Sequence, residues 1–204
     1  QTDNSGLNGL GATHIAMMAR RGAMIFLATY GGGIFTKAPY FPGGWQSFSQ
    51  GLTWQNVESI TNIDGQLYAG AGANATLFTR RADQNAWLEY AFDEFNGEIN
   101  AFLGIIKEGD VLIAAGQQGF YRSTNNGGIW DGQPTGYGLI SSVRFESNGQ
   151  GRVWAHMAKG SLISTLRYTD DAGLTWHNFD PGFTNTFGTD IVFFQNKLYY
   201  ARSN

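Results

Sequence analysis

A tryptophan recurs at nearly even spacing along this chain of 204 residues. The gaps between successive members are 42, 43 and 46 residues, and the positions are Trp45, Trp87, Trp130 and Trp176. An alanine inside an apolar run keeps the same period, with gaps of 41, 45 and 41 residues between Ala28, Ala69, Ala114 and Ala155. Two markers with one period of about forty residues indicate a repeated supersecondary unit, either a propeller blade or a helical array.

The segments between these markers favour strands over helices. No stretch holds a helical period over three turns, and each period divides into four short runs that are apolar or alternate between apolar and polar residues. The chain has 29 glycines but only 4 prolines, which suits many tight turns between short strands. The sequence therefore predicts an all-β fold, a β-propeller of four-stranded antiparallel blades.

The repeat also predicts how the chain divides, with boundaries near residues 54, 97, 138 and 186. The predicted parts are an N-terminal segment 1–13, blade 1 at 14–54, blade 2 at 55–97, blade 3 at 98–138, blade 4 at 139–186 and the first half of blade 5 at 187–204. About four and a half blades do not close a ring, and an open ring leaves apolar flanks and strand edges in water. We therefore expect a fragment of a longer protein, or a piece completed by another chain.

Charge and composition exclude several classes of function. A net charge of −3 argues against general nucleic-acid binding, and no apolar run approaches the roughly 20 residues that span a bilayer. The chain has no cysteine, and His14, His156 and His177 lack the close spacing of a metal site, so neither a metal nor another cofactor is predicted. The polar start at Gln1 is typical of a mature exported protein whose signal peptide has been removed.

Two segments that end in the repeating tryptophan share one pattern. The fourth repeat reads Thr169-Asp-Asp171-Ala-Gly173-Leu-Thr175-Trp176, and the third reads Ser123-Thr-Asn125-Asn-Gly127-Gly-Ile-Trp130. Both resemble the Asp-box of sialidase-type (BNR) repeat β-propellers, whose pattern is S/T-x-D-x-G-x-T-W. The resemblance implies a hairpin loop in which Asp or Asn accepts backbone N–H groups, Gly takes a positive φ and Trp packs between sheets. These residues are predicted to be structural. The first two repeats depart from the pattern, and Ser47–Trp54 is interpreted as a connection between blades because it falls out of phase.

The resemblance leaves two classes of function open. A sialidase needs three arginines, a Tyr–Glu pair and an acid, and the sequence shows no such set. Xyloglucan-active Asp-box glycosidases use two carboxylates across a cleft, and Asp64, Glu98 and Asp190 lie near strand ends. A fragment of such a hydrolase is the alternative reading.

The reading favoured here is a noncatalytic, exported propeller that binds a protein partner, with a glycan as the second choice. Loops that join blades, and those between second and third strands, share one face in a propeller. Exposed aromatic residues on such a face are typical of interfaces. The predicted binding residues are Tyr30, Trp54, Phe95, Tyr137, His156, Lys159, Phe183 and Phe187. The sequences of the repeats are similar to those of exported Bacteroidota proteins. This resemblance suggests that the chain is a component or cargo of a cell-envelope or secretion assembly.

Overall fold

The computed structural model describes residues 4–7, 9, 11–38, 43–71, 76–90, 102–134, 139–159, 163–180 and 187–203. These residues form 18 β-strands, and none of them lies in a helix. Four antiparallel sheets have four strands each, and a two-stranded hairpin follows them. The predicted all-β class and four-stranded antiparallel blades are confirmed. The chain forms two compact units, Gln1–Phe102 and Leu103–Asn204.

The first unit contains two of the four-stranded sheets, each a meander in chain order. The first sheet consists of β1 (Ile15–Arg21), β2 (Met24–Thr29), β3 (Gly33–Lys37) and β4 (Gln46–Ser47). The second consists of β5 (Val57–Ile63), β6 (Gln66–Ala71), β7 (Thr76–Arg80) and β8 (Leu88–Tyr90). Asp64 and Gly65, both at positive φ, form the two-residue turn between β5 and β6, as the Asp-Gly pair predicts.

The third and fourth sheets are also meanders in chain order. The third sheet begins at Phe102, the last residue of the first unit. The third sheet consists of β9 (Phe102–Glu108), β10 (Val111–Gly116), β11 (Gly119–Ser123) and β12 (Asp131–Pro134). The fourth consists of β13 (Ser142–Ser147), β14 (Val153–Lys159), β15 (Ile163–Thr169) and β16 (His177–Phe179). The hairpin consists of β17 (Phe187–Phe194) and β18 (Lys197–Ser203).

Residues of neighbouring sheets share each core. In the first unit, Phe26 and Ile34 of the first sheet belong to one buried cluster with Leu67, Phe78 and Trp87 of the second. In the second unit, Trp154 and Leu166 of the fourth sheet cluster with Ile191 of the hairpin. Phe193, Leu198 and Tyr200 of the hairpin pack against this cluster. Val192, Phe194 and Tyr199 are exposed.

Two of the recurring tryptophans, Trp87 and Trp176, pack on the preceding sheet of their own unit. Trp87 is 3% exposed, lies edge-on to Phe48 and donates its indole N–H to the Phe48 carbonyl at 2.7 Å. Trp176 stacks on Phe120 with ring centres 4.0 Å apart, but it is only half-buried. The prediction that these tryptophans are largely buried is therefore right for Trp87 and Trp130 and too strong for Trp176.

The two predicted box loops have the expected hydrogen bonds. In the fourth sheet, Asp171 Oδ1 accepts the Thr175 amide at 2.9 Å and the Thr169 hydroxyl at 2.6 Å, while Asp171 Oδ2 accepts the Thr175 hydroxyl at 2.5 Å. In the third sheet, Asn125 Oδ1 accepts the Ile129 amide at 2.8 Å and the Ser123 hydroxyl at 2.9 Å. The side chain at this position therefore organises its own loop.

Glycine is required at one position of each box. Gly173 has φ +86° and Gly127 has φ +88°, a conformation that L-residues rarely adopt. Their amides donate to the Thr169 and Ser123 hydroxyls, both at 2.9 Å. The preceding residues, Ala172 and Asn126, also have positive φ, at 53° and 57°.

The second sheet closes the same loop with a cation. Arg80 occupies the place of Ser123 and Thr169, seven residues before the tryptophan. Its Nε donates to the Gln84 carbonyl at 3.1 Å, and its guanidinium lies 3.6 Å from the centre of the Phe48 ring. A buried arginine therefore stands where the other two loops have a hydroxyl.

Candidate functional site

The best-defined surface site is formed by the turn between β2 and β3 and by the connection between the first two sheets. The turn is held from inside, because the Thr29 hydroxyl accepts the Gly32 amide at 3.1 Å and donates to the Gly33 carbonyl at 2.8 Å. Gly31 and Gly33 have φ values of +99° and +79°. The turn therefore has a fixed shape, and it holds Tyr30 at its start.

The connection, residues 48–56, lies directly beside this turn. The Gln55 carbonyl accepts the amides of Gly31 and Gly33 at 3.1 and 2.8 Å, and Tyr30 forms an isolated antiparallel bridge with Asn56. A side chain at Gly33 would collide with Gln55, since an added Cβ would stand 2.4 Å from its Oε1. These contacts bring two predicted binding residues, Tyr30 and Trp54, onto adjacent segments.

Both aromatic side chains face solvent. Tyr30 is 48% exposed and Trp54 is 38% exposed. Neither side chain forms a hydrogen bond or a ring contact within the described part of the chain. We call this surface the Tyr30–Trp54 face, and it comprises the turn at 30–32 and the connection at 48–56.

An acidic residue that the sequence reasoning missed borders the Tyr30–Trp54 face. Glu58 is the extra residue of a β-bulge, because Val57 pairs with Ala71 and Ser59 pairs with Gly70. Its side chain is half-buried, and burial raises the pKa of its carboxyl group. No described residue donates a hydrogen bond to it or forms an ion pair with it. The signal in the sequence that could have identified Glu58 was an acidic residue inside a largely apolar strand, between two positions that are buried.

One predicted binding residue of the second unit is buried. His156 is 3% exposed in the interior of β14, so the prediction that it faces the surface near a binding loop is wrong. Its ring lies edge-on to Tyr200 with centres 5.5 Å apart, and its Nε2 has no partner in the described residues. Burial lowers the pKa of His156, while Asp190 raises it and Arg144 lowers it by smaller amounts. The imidazole is therefore held neutral as part of the packing.

The remaining predicted binding residues are only partly placed. Lys159 is the last residue of β14 and is exposed. Phe187 begins β17. Phe95, Tyr137 and Phe183 lie outside the described residues.

Two of the three candidate carboxylates of a hydrolase lie among the described residues, one in each unit. Asp64 lies in the hairpin turn between β5 and β6. Asp190 Oδ1 accepts the Ile191 amide at 2.9 Å and lies 3.9 Å from Arg144 Nε. Glu98 lies outside the described residues. Among the residues that the structure describes, no three His, Asp or Glu side chains are grouped as metal ligands, and no helix there is long and apolar enough to cross a membrane.

Comparisons of the sequence return no relatives. No protein-family model matches the chain, and no curated protein matches it either.

Solved structures do resemble the chain. The GH74 enzyme of Niastella koreensis superposes with a TM-score of 0.72 and 17% identity over 98% of this chain and 34% of its own. A GH74 xyloglucanase from Xanthomonas campestris has a TM-score of 0.59 and 16% identity over 90% of this chain and 28% of its own. YCF48 bound to D1 peptide has a TM-score of 0.64 and 15% identity over 97% of this chain and 63% of its own.

These structures are similar to the chain at identities that show the fold alone. The chain spans about a third of the length of the Niastella GH74 enzyme. Glycoside hydrolases and a peptide-bound protein therefore share a fold with this chain, which is a β-propeller fold.

Proposed function

We propose that this chain is a noncatalytic β-propeller of the Asp-box type that binds a protein partner through the Tyr30–Trp54 face. The observation that carries the proposal is a pair of exposed aromatic side chains on two adjacent segments, neither of which has a side-chain hydrogen bond or ring contact among the described residues. The Asp-box assignment is supported by the matching hydrogen bonds of Asp171 and Asn125 within their own loops.

The Tyr30–Trp54 face suits protein recognition for two physical reasons. Tyr and Trp bury a large area while losing few rotatable bonds, and they are enriched among residues that dominate binding energy. The backbone beneath them is held by the Thr29 side chain and the Gln55 carbonyl, so little ordering remains to oppose binding. A peptide-bound relative in fold, YCF48 with D1 peptide, is consistent with this use of a propeller.

A fragment of a GH74-like glycoside hydrolase is the second candidate. The favouring observation is the Niastella GH74 enzyme, which superposes over 98% of this chain. Exposed aromatic side chains also suit sugar rings, so the Tyr30–Trp54 face is compatible with a glycan. This candidate requires two carboxylates that flank a cleft, and Asp190 is already engaged by Arg144 and by the Ile191 amide.

The proposal is tested by affinity isolation with matched variants. Wild-type protein and the Tyr30→Ala/Trp54→Ala double variant serve as baits for extracts of the source organism. Tyr90→Ala is the control, because Tyr90 is 45% exposed on the outer strand β8. We expect one or more proteins to be enriched by wild type and by the control and lost with the double variant. Equal enrichment by all three baits contradicts the proposal.

A parallel hydrolysis assay addresses the second candidate. Release of reducing ends from xyloglucan by the purified chain, abolished by Asp190→Asn in a folded variant, would replace the binding reading with an enzymatic one. Export is part of the proposal, and fractionation of the source cells tests it: the protein is expected outside the cytoplasm, in an envelope or secreted fraction.

A further inference from the structure

The carboxylate of Glu58 is not compensated by the part of the chain that the structure describes. It is half-buried, burial raises its pKa, and it has no hydrogen-bond or ion-pair partner there. Burying a charge without a partner costs free energy. Other acids are compensated: Glu146 accepts the Phe193 amide at 3.1 Å, and Asp170 pairs with Arg152 through two contacts of 2.6 and 2.7 Å.

Glu58 lies near both exposed aromatic residues along the backbone. Asn56 forms an isolated antiparallel bridge with Tyr30. Trp54 and Glu58 are each two residues from Asn56, so their Cα atoms lie within about 7.6 Å of its Cα. The three residues are therefore grouped in one area around this bridge.

The chemistry of this area selects one kind of ligand. An anion is repelled by Glu58, and an apolar side chain would remove more water from a carboxylate that already lacks a partner. A cation neutralises the carboxylate and is attracted by the faces of Trp and Tyr rings. The side chain of lysine or arginine supplies both the charge and an apolar stem that packs along aromatic surface.

We propose that Tyr30, Trp54 and Glu58 together receive a lysine or arginine side chain of the protein partner. This inference rests on the proposed function, because it names the part of the partner that the Tyr30–Trp54 face recognises. It also gives the bulge a role: the extra residue in β5 places a carboxylate between Val57 and Ser59, which are both buried.

The test uses two synthetic pentapeptides that differ in one charge. One is acetyl-Gly-Ser-Lys-Ser-Gly-amide, and in the other norleucine replaces lysine. Each is titrated into the full chain while NMR follows the indole N–H of Trp54, assigned with Trp54→Phe. We expect wild type to bind the lysine peptide about tenfold more tightly, as one cation–π and carboxylate contact gives at low ionic strength.

The Glu58→Gln variant is expected to lose that preference and to bind both peptides with the affinity that wild type has for norleucine. Glutamine keeps the shape and has no charge to desolvate, so this variant should fold. Asp83→Asn removes the same charge from an exposed loop of the same unit, and the lysine preference should remain. Equal binding of the two peptides by wild type, or an unchanged preference in Glu58→Gln, overturns the inference.

Failure of this inference is distinguishable from failure of the proposed function. If Glu58→Gln has no effect but Tyr30→Ala/Trp54→Ala abolishes capture of the partner, the face binds protein without selecting a cation. If the double variant captures the partner normally, the face itself is not the binding surface.

Discussion

Asp171 offers the sharpest test of the structural role of the box loop. Its carboxylate accepts three hydrogen bonds, one from Thr169 and two from Thr175. Burial acts to raise its pKa, but the bonds from Thr169 and Thr175, with a smaller contribution from the Leu174 amide, outweigh burial and lower the pKa from 3.8 to about 2. A tenfold change in proton affinity corresponds to 1.36 kcal/mol, and solvent screens part of the interaction of this partly exposed group, so the ionised carboxylate stabilises the fold by about 1–2 kcal/mol.

Two substitutions separate the shape of this side chain from its charge. Asp171→Ala removes all three bonds, so we expect a loss of about 2 kcal/mol and a melting temperature lower by about 4–8 °C for a protein of this size. Asp171→Asn should cost less at pH 7, because Asn125 performs the same role in the third sheet. Urea unfolding followed by tryptophan fluorescence gives both free energies.

The dependence on pH follows from the depressed pKa. A carboxyl group that is more acidic in the folded state stabilises the protein above its unfolded pKa, near 4, and loses that contribution as the pH falls toward 2. The difference in unfolding free energy between wild type and Asp171→Asn should therefore shrink between pH 5 and pH 2.5. Wild-type stability of Asp171→Ala, or a pH-independent difference for Asp171→Asn, would refute this account.

Four further substitutions test three separate features, each by urea unfolding at pH 7. Ala172→Asn should stabilise by up to about 1 kcal/mol, because Ala172 has φ +53° and Asn126 already occupies the matching position; destabilisation would contradict the shared loop geometry. Trp87→Phe should lower the free energy of unfolding by about 2 kcal/mol, because it removes the indole hydrogen bond. Trp176→Phe should lower it less, because the Trp176 N–H has no partner among the described residues. A larger loss for Trp176→Phe than for Trp87→Phe would be inconsistent with these contacts. Glu58→Gln should be at least as stable as wild type at pH 7. The pKa of the Glu58 carboxyl group is raised in the fold, so ionisation of this group destabilises the wild-type protein as the pH rises through that pKa. A clear loss of stability in the variant would show that the carboxylate has a stabilising partner.

The sequence predicted the blades because their period reflects a repeated contact. Trp87 contacts Phe48 and Trp176 contacts Phe120, each on the preceding sheet of its own unit. The hydrogen-bond acceptor in the predicted box was also predictable, since an Asp two residues after the end of a strand accepts the amides of its own loop. Such features depend on local spacing, which a single sequence displays.

The remaining features depend on contacts that spacing does not display. Arg80 replaces the box hydroxyl only because Phe48, from the preceding sheet, supplies a ring beneath its guanidinium. His156 was predicted to lie near a loop of the binding face, but the pairing of β14 with β13 and β15 continues past it, and it is buried. Glu58 is the extra residue of a bulge, which the alternation of β5 alone does not reveal.

The central claim is that the Tyr30–Trp54 face is the binding surface, and one affinity measurement tests it directly. The Kd of the partner recovered by affinity isolation is measured by titration calorimetry for wild type, Tyr30→Ala/Trp54→Ala and the Tyr90→Ala control. All three proteins should melt at similar temperatures, because the replaced side chains are exposed. The account predicts a Kd at least about tenfold weaker for the double variant and an unchanged Kd for the control. Equal affinities of wild type and the double variant would contradict it.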